Sequence, residues 1–137
     1  TDTHIAVINA VKVGAQKIYI LGATGTRMDH TFTNICNMKA ALDCGAECYI
    51  YDPHNKIYLA GEEQGSVTVS KNGQYGDYVS VVPLSDMARI SLSGFKYELD
   101  NYELYQGLSI CQSNELRDDK AVIKVHEGLL IVFETKD

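Results

Sequence analysis

Apolar residues in the first third of the chain follow two patterns, one with helical spacing and one in continuous runs. Helical spacing relates Ile5, Ile8, Val11 and Ala15, and again Met28, Phe32, Ile35, Cys36 and Leu42. Residues 17–21 and 48–51 are instead short apolar runs without polar alternation, which is typical of strands buried on both faces of a parallel sheet. The resulting order of helix, strand, helix and strand predicts part of an α/β layer.

The pattern changes near residue 53. Residues 52–55 read Asp-Pro-His-Asn, which predicts a turn or linker. Beyond it, Gly, Asn and Asp separate β-rich segments, and the candidate strands are residues 56–60, 66–70, 78–84, 87–92, 108–113, 121–126 and 129–135. Short strands at this spacing indicate an antiparallel sandwich or barrel. We therefore expect an α/β followed by all-β chain, in which residues 1–53 form part of a parallel-sheet α/β domain and residues 54–137 form a C-terminal antiparallel β-sandwich.

Composition and charge narrow the class of protein. Of the 137 residues, 45% are hydrophobic and 22% charged, as in a globular domain. The net charge of −6, without basic clusters, argues against binding to nucleic acid. No apolar run approaches the roughly 20 residues of a membrane helix, and the polar first residues predict no signal peptide. The four cysteines form no Cys-x-x-Cys pair and predict buried, reduced thiols in a cytosolic protein rather than a zinc site or a disulfide.

The stretch between the first predicted strand and the second predicted helix carries the strongest chemical signal. Residues 22–30 read Gly-Ala-Thr-Gly-Thr-Arg-Met-Asp-His. Glycines at the carboxyl end of a strand let backbone N–H groups approach phosphate oxygens, and the following helix N-terminus favours anions. Arg27 suits a bidentate phosphate contact, and Asp29 suits Mg²⁺. A glycine-rich turn in which Asp29 caps the helix explains the same residues equally well.

Three other stretches carry weaker signals when each is taken alone. Residues 1–3, Thr-Asp-Thr, have the composition of a helix N-cap. Residues 91–99 read Ser-Leu-Ser-Gly-Phe-Lys-Tyr-Glu-Leu, and residues 107–115 read Gly-Leu-Ser-Ile-Cys-Gln-Ser-Asn-Glu. Both suit a strand that ends in a turn. Neither contains a nucleophile elbow, and the four scattered histidines indicate no His-based metal site.

In their order and spacing, these stretches together resemble the thiamine pyrophosphokinase family. Its members carry a Gly-Ala-Thr-Gly-Gly-Arg-Leu-Asp-His segment, matched at residues 22–30, and a Gly-Leu-Lys-Tyr/Trp-Pro-Leu segment, matched at residues 94–99. A Ser-Asn-Glu segment is matched at residues 113–115. Residues 1–2 resemble the end of a Lys-Asp-x-Thr-Asp segment that precedes the first helix in the family. The resemblance covers essentially the whole chain.

The chain also departs from the family pattern. Thr26 replaces a glycine, Met28 replaces a leucine and Glu98 replaces a proline. The family's Gly-Asp-x-Asp-Ser segment, whose aspartates help bind Mg²⁺ and ATP, does not occur in the sequence. Two strands are also few for a parallel sheet. We therefore expect an N-terminally truncated chain, with part of the active site missing, that is inactive by itself.

The resemblance implies an enzyme, a thiamine diphosphokinase, that transfers pyrophosphate from ATP to thiamine and releases AMP. It assigns catalysis to Asp2, Arg27 and Asp29, Mg²⁺ to Asp2 and Asp29, ATP to Thr24, Gly25, Arg27 and His30, and thiamine to Ser91, Ser93, Tyr97, Ser113 and Asn114. It further implies a cytoplasmic homodimer that binds neither nucleic acid nor membrane. Two alternatives stay open: a pyrophosphokinase for another acceptor such as a hydroxymethylpterin, and a non-catalytic nucleotide- or thiamine-binding module.

Overall fold

The computed structural model describes all 137 residues, which divide into two compact units, Thr1–Leu59 and Ala60–Asp137. Helices and strands alternate at first, in the order α1 (Asp2–Lys12), β1 (Lys17–Leu21), α2 (Met28–Asp43), β2 (Glu47–Tyr51) and β3 (Asn55–Gly61). Strands alone follow: β4 (Ser66–Ser70), β5 (Tyr78–Pro83), β6 (Met87–Ser93), β7 (Leu99–Tyr105), β8 (Lys120–Glu127) and β9 (Leu129–Thr135). The predicted fold class, α/β followed by an antiparallel β-sandwich, is confirmed. The functional division at residue 53 stays a prediction, since the compact units divide after Leu59.

Both helices form where the apolar spacing predicts them. The hydroxyl oxygen of Thr1 caps α1 by accepting a hydrogen bond from the N–H group of His4 at 3.2 Å. The buried face of α2 consists of Thr31, Asn34, Ile35, Met38 and Ala41, which recur at helical spacing. Neither helix is long and apolar enough to cross a membrane.

Strands β1 and β2 are parallel, and their register runs from Lys17 opposite Glu47 to Leu21 opposite Tyr51. Both strands therefore end at the same edge of the sheet. The predicted burial on both faces is wrong for β1, which has no buried residue and leaves the Leu21 side chain 75% exposed. The reason is that β1 lies at the end of the strand order, beside β2 alone.

The second unit is built from antiparallel strands, and alternate residues are buried in β6 and β8. Four strands form a sheet in the order β4-β8-β6-β7, and β5 pairs with β9. The buried positions in the middle of the four-stranded sheet are Ala88, Ile90 and Leu92 of β6 and Ala121, Ile123 and Val125 of β8. This two-residue period is what the sequence predicts for strands with one face in a core.

Two strand assignments differ from the sequence prediction. Residues 108–113 form turns and bends rather than a strand, and Leu108 and Ile110 are exposed. One of the two strands that pair with β6 is β7, which the sequence pattern did not predict. It lies at the end of the strand order and buries Leu104 alone. An edge strand that carries charged residues lacks the apolar alternation by which strands are recognised.

All four cysteines are free thiols, but they are not all buried. Cys48 and Cys111 are buried, and burial raises the pKa of each thiol to about 11. Cys36 is half-buried. The prediction of burial is wrong for Cys44, because this residue follows the last turn of α2 and faces solvent.

Candidate functional site

The loop of residues 22–27 connects β1 to α2 at the edge of the sheet where β1 and β2 both end. Gly22 begins the loop with φ of +74°, a left-handed conformation that residues with a Cβ rarely adopt. This glycine lets the chain turn sharply from the strand toward the helix. In α/β sheets the carboxyl edge is where ligands bind, so the glycine-bearing loop lies on the edge expected for a site.

Arg27 and Asp29 form an ion pair at the start of α2. Arg27 Nη2 donates to Asp29 Oδ2 at 2.6 Å, and Arg27 Nε donates to Asp29 Oδ1 at 3.3 Å. The two side chains are 70% and 64% exposed. The hydrogen bonds from Arg27 are the main reason that the pKa of Asp29 lies below its usual value. The N-cap position of α2 is Arg27, without a side-chain capping bond, so Asp29 binds Arg27 and does not cap the helix.

Two buried side chains of α2 hold the backbone of the loop. Asn34 Nδ2 donates to the carbonyl oxygen of Ala23 at 2.9 Å. The N–H group of Gly25 donates to Thr31 Oγ1 at 3.3 Å. This second bond is long for an N–H···O hydrogen bond.

A third support comes from Asp52, for which the sequence pattern predicts only a place in a turn. Asp52 Oδ2 accepts from the hydroxyl of Thr24 at 2.7 Å, and Asp52 Oδ1 accepts from the N–H groups of His54 and Asn55, each at 2.7 Å. Asn55 Nδ2 donates to both carboxylate oxygens at 3.0 Å. Burial by itself raises the pKa of Asp52, but these hydrogen bonds outweigh it, and the pKa is lowered. The signal in the sequence was an acidic residue directly after the strand parallel to β1, where both strands reach the ligand edge.

Asp2 and Asp29, the two predicted metal ligands, are not in contact. Asn37 Nδ2 donates to Thr1 Oγ1 at 3.1 Å, which places the start of α1 beside Asn37. Asn37 lies about 12 Å along the axis of α2 from Asp29. No group of three or more His, Cys, Asp or Glu residues in the chain is arranged to hold a metal ion. His30 is exposed in the first turn of α2 and adjoins Asp29.

In the second unit, Gly94 and Glu98 close a tight turn. Gly94 has φ of +79°, and a Cβ at this position would overlap the backbone oxygen of Lys120. The N–H group of Gly94 donates to Glu98 Oε2 at 2.8 Å, and Arg117 Nη1 donates to Glu98 Oε1 at 3.2 Å. The glutamate that stands in place of the family's proline therefore closes the turn with its side chain.

Tyr97, Ser113 and Asn114 form one group, called here the Asn114 cluster. Asn114 is 4% exposed, and its side chain binds both backbone groups of Tyr97, accepting from N–H at 3.1 Å and donating to C=O at 2.8 Å. The N–H group of Ser113 donates to Ser80 Oγ at 2.8 Å. The Tyr97 side chain itself is exposed, and Lys96 Nζ lies 5.6 Å from the centroid of its ring. A buried amide thus presents an aromatic ring to solvent.

The other two serines predicted to contact thiamine lie on β6. Ser91 Oγ is 2.7 Å from His126 Nε2 and accepts from the N–H group of Asn101 at 2.9 Å. Ser93 is exposed at the end of the strand. Ser91 therefore belongs to a hydrogen-bonded group separate from the Asn114 cluster, and the roles of all these residues in ligand binding stay predictions.

The first unit is part of an α/β layer with a glycine-bearing loop at the carboxyl edge of its parallel strands, and the second is a β-sandwich. Comparison with family models follows the same division. The model of the thiamin pyrophosphokinase catalytic domain matches residues 1–50, and the model of the thiamin pyrophosphokinase vitamin B1 binding domain matches residues 65–130. With both domain models matched in this order over most of its length, the chain belongs to the thiamin pyrophosphokinase family.

Known relatives agree with this membership. Thiamine pyrophosphokinase of Bacillus subtilis is 29% identical over 138 residues, an alignment that covers all of this chain and 63% of the relative. Its crystal structure matches with a TM-score of 0.91. The crystal structure of thiamin pyrophosphokinase from Geobacillus thermodenitrificans is 34% identical, with a TM-score of 0.86, and the match covers all of this chain and 62% of that one. The chain thus spans a little under two thirds of the length of these relatives.

Proposed function

We propose that the protein transfers the pyrophosphoryl group of ATP to thiamine, forming thiamine diphosphate and AMP. The observation that carries the proposal is the exposed Arg27–Asp29 pair on the loop between β1 and α2. Such transfer depends mainly on the positioning of the reactants and on neutralisation of phosphate charge. An arginine beside a carboxylate supplies one partner for phosphate and one for Mg²⁺.

Arg27 and Asp29 neutralise each other in the absence of a ligand and exchange partners when ATP binds. The guanidinium of Arg27 turns to the phosphate oxygens, and the carboxylate of Asp29 is released for a cation. Exposed ion pairs contribute only about 0–1 kcal/mol to stability, so this exchange costs little. The phosphate contact gains more, because arginine binds phosphate through two parallel hydrogen bonds.

Asp29 has the donor chemistry that Mg²⁺ prefers. Its carboxylate is exposed, and an aspartate with an ordinary pKa near 3.8 is ionised at neutral pH even without the Arg27 bond. Mg²⁺ in nucleotide sites is held by one or two carboxylates together with substrate phosphates, so a single protein carboxylate at this loop fits. When bound, the ion would neutralise phosphate charge. Asp2 is proposed as a second carboxylate, although it does not contact Asp29.

The remaining ATP contacts are proposed on the same loop and the following helix turn. The N–H group of Gly25, the residues Thr24 and His30, and the N-terminal dipole of α2 all favour an anion there. In the reaction, the hydroxyethyl oxygen of thiamine forms a bond to the β-phosphorus of ATP. The bond that breaks, in line with it, joins this phosphorus to the oxygen that bridges the α- and β-phosphates. The bridging oxygen leaves with AMP, and the hydroxyl proton is released.

Thiamine is proposed to bind through Tyr97, Ser91, Ser93, Ser113 and Asn114. The thiazolium ring of thiamine is a cation, and an aromatic face attracts cations. The Tyr97 ring already lies near one, since Lys96 Nζ is 5.6 Å from its centroid. Asn114 fixes the backbone of Tyr97 from inside the second unit, which reduces the conformational freedom that this residue loses on binding.

Five further points belong to the proposal. The protein is a homodimer in the cytoplasm, and with its net charge of −6 it does not bind nucleic acid. It does not associate with membranes. Residues 1–137 by themselves are inactive, because the resemblance places further aspartates for Mg²⁺ and ATP in a Gly-Asp-x-Asp-Ser segment that this sequence does not contain.

The test is AMP release from ATP and Mg²⁺, with and without thiamine, measured on the natural full-length protein beside residues 1–137. We expect thiamine-dependent AMP from the full-length protein alone. If AMP release depends on a hydroxymethylpterin and not on thiamine, the pterin is the acceptor instead of thiamine. If ATP or thiamine binds but neither sample releases AMP, the protein is a non-catalytic binding module.

A further inference from the structure

Asp52 joins the end of β2 to the loop that follows β1. The hydrogen bond from Thr24 to its carboxylate spans 28 positions of the chain and is short, at 2.7 Å. An ionised carboxylate can only accept hydrogen bonds, so the Thr24 hydroxyl must be the donor. A threonine hydroxyl has one hydrogen, and Asp52 uses it.

Consecutive loop residues are held by different supports. Asn34 binds the backbone of Ala23, Asp52 binds the side chain of Thr24, and Thr31 binds the backbone of Gly25. Asn34 and Thr31 belong to α2, whereas Asp52 follows the neighbouring strand. Without Asp52, these bonds would attach the loop to the helix alone.

We propose that Asp52 is a positioning residue, which accepts the hydroxyl hydrogen of Thr24 and thereby fixes the loop of residues 22–27 in the shape that receives the phosphates of ATP. The identity of that ligand rests on the proposed function, but the loop geometry does not. One consequence concerns Thr24. While it is bonded to Asp52 it has no hydrogen to donate to phosphate, so this inference revises its proposed part in ATP binding from a direct contact to support of the loop.

A negative charge so close to a phosphate site is tolerated because donors surround it. Both oxygens of Asp52 accept hydrogen bonds, from the Thr24 hydroxyl, from two backbone N–H groups and from the Asn55 amide. Hydrogen bonds of this kind stabilise the ionised form and disperse its charge. In Asp52→Asn, the remaining oxygen stays with the two backbone N–H groups and an NH₂ group faces Thr24, so the charge-assisted bond from the Thr24 hydroxyl is replaced by a weaker, neutral bond in the reverse direction, with little change in volume.

The first arm of the test does not depend on any activity. Amide hydrogen exchange is measured on wild type, Asp52→Asn, Thr24→Val and the control Asp43→Asn, which removes an exposed carboxylate paired with Lys39 on the same unit. We expect exchange at residues 22–27 to quicken by about tenfold in both Asp52→Asn and Thr24→Val, and to stay unchanged in the control. Faster exchange at His54 and Asn55 alone would show that Asp52 only holds its own turn, which would overturn the proposal.

The second arm uses steady-state kinetics of the natural full-length protein. We expect the KM for ATP to rise about tenfold or more in Asp52→Asn and in Thr24→Val, with the KM for thiamine within about twofold of wild type. The double variant is expected to be no worse than the poorer single variant, because both remove one bond. Thr24→Ser, which keeps the hydroxyl, is expected to recover most of the ATP affinity lost in Thr24→Val.

The arms separate this proposal from the proposed function. If the wild type releases no thiamine-dependent AMP, the function fails, and hydrogen exchange still decides the role of Asp52. If the losses in the two single variants multiply in the double variant, Asp52 and Thr24 act independently and the proposal is wrong. If Asp52→Asn does not fold, the contrast between Thr24→Val and Thr24→Ser carries the test, and equal behaviour of these two would overturn it.

Discussion

Arg27 in the first unit and Tyr97 in the second are both exposed, but the groups that hold them differ. Arg27 is held by Asp29, which is itself exposed. Tyr97 is held through its backbone by the buried amide of Asn114. An exposed ion pair is weak and can change partners, whereas a buried amide with three hydrogen bonds is costly to disturb. The first arrangement suits a group that must move to a phosphate, and the second suits a ring that must stay in place.

The comparison predicts its largest effect at Asp29. Asp29→Ala is expected to lower thiamine-dependent AMP release by about 100-fold or more in the full-length protein, because the loss removes charge stabilisation at the phosphates. The melting temperature should barely change, since the side chain is exposed. Asp43→Ala, which removes another exposed carboxylate paired with a lysine, is the control. Retained turnover with an unchanged Mg²⁺ dependence would remove Asp29 from the site.

The next effect is on stability and falls on Asn114. Asn114→Ala is expected to lower the free energy of unfolding by about 2–4 kcal/mol, because it leaves both backbone groups of Tyr97 without a partner. Urea unfolding of the chain measures this change, and Asn72→Ala in an exposed turn serves as the control. A loss below about 0.5 kcal/mol, as is usual for surface changes, would mean that the amide does not hold the backbone of Tyr97.

A smaller effect, on the KM for thiamine, is expected when the ring of Tyr97 is removed. Tyr97→Ala should raise the KM for thiamine by between about 2-fold and 30-fold, the equivalent of a cation–π contact of about 0.5–2 kcal/mol. The KM for ATP should not change, and neither should stability, since the ring is exposed. Tyr105→Ala removes another exposed tyrosine and should affect neither KM. Equal increases in both KM values for Tyr97→Ala would contradict the stacking role.

The smallest effect is a pH dependence of stability that distinguishes Asp52, which holds the loop of residues 22–27, from Asn114, which holds the backbone of Tyr97. The pKa of Asp52 is lowered in the folded state, so its ionised form stabilises the fold above the ordinary value of 3.8, and this contribution disappears as the pH falls through the lowered pKa. The difference in unfolding free energy between wild type and Asp52→Asn should therefore shrink by up to about 1 kcal/mol on acidification. The amide of Asn114 does not titrate, so the loss in Asn114→Ala should stay constant. A pH-independent difference for Asp52→Asn would show that its charge does not matter.

The sequence by itself determined the elements and motifs whose signal is local. Both helices and most strands follow from the period of apolar residues, because that period reports which face of an element is buried. The loop at residues 22–27 was recognisable since glycines, an arginine and an aspartate lie next to one another between a strand and a helix. Family membership followed from the order of such segments, which a linear pattern preserves.

Tertiary structure alone decided which distant residues meet. Asp52 reaches Thr24 because β1 and β2 are parallel and end together, and Asn114 reaches Tyr97 across 17 positions of the chain. Tertiary structure also placed Ser91 beside His126, apart from the Asn114 cluster. It made the polar β7 an edge strand. A sequence pattern records the face a residue occupies along its own element, whereas strand pairing and register set its neighbours on other elements.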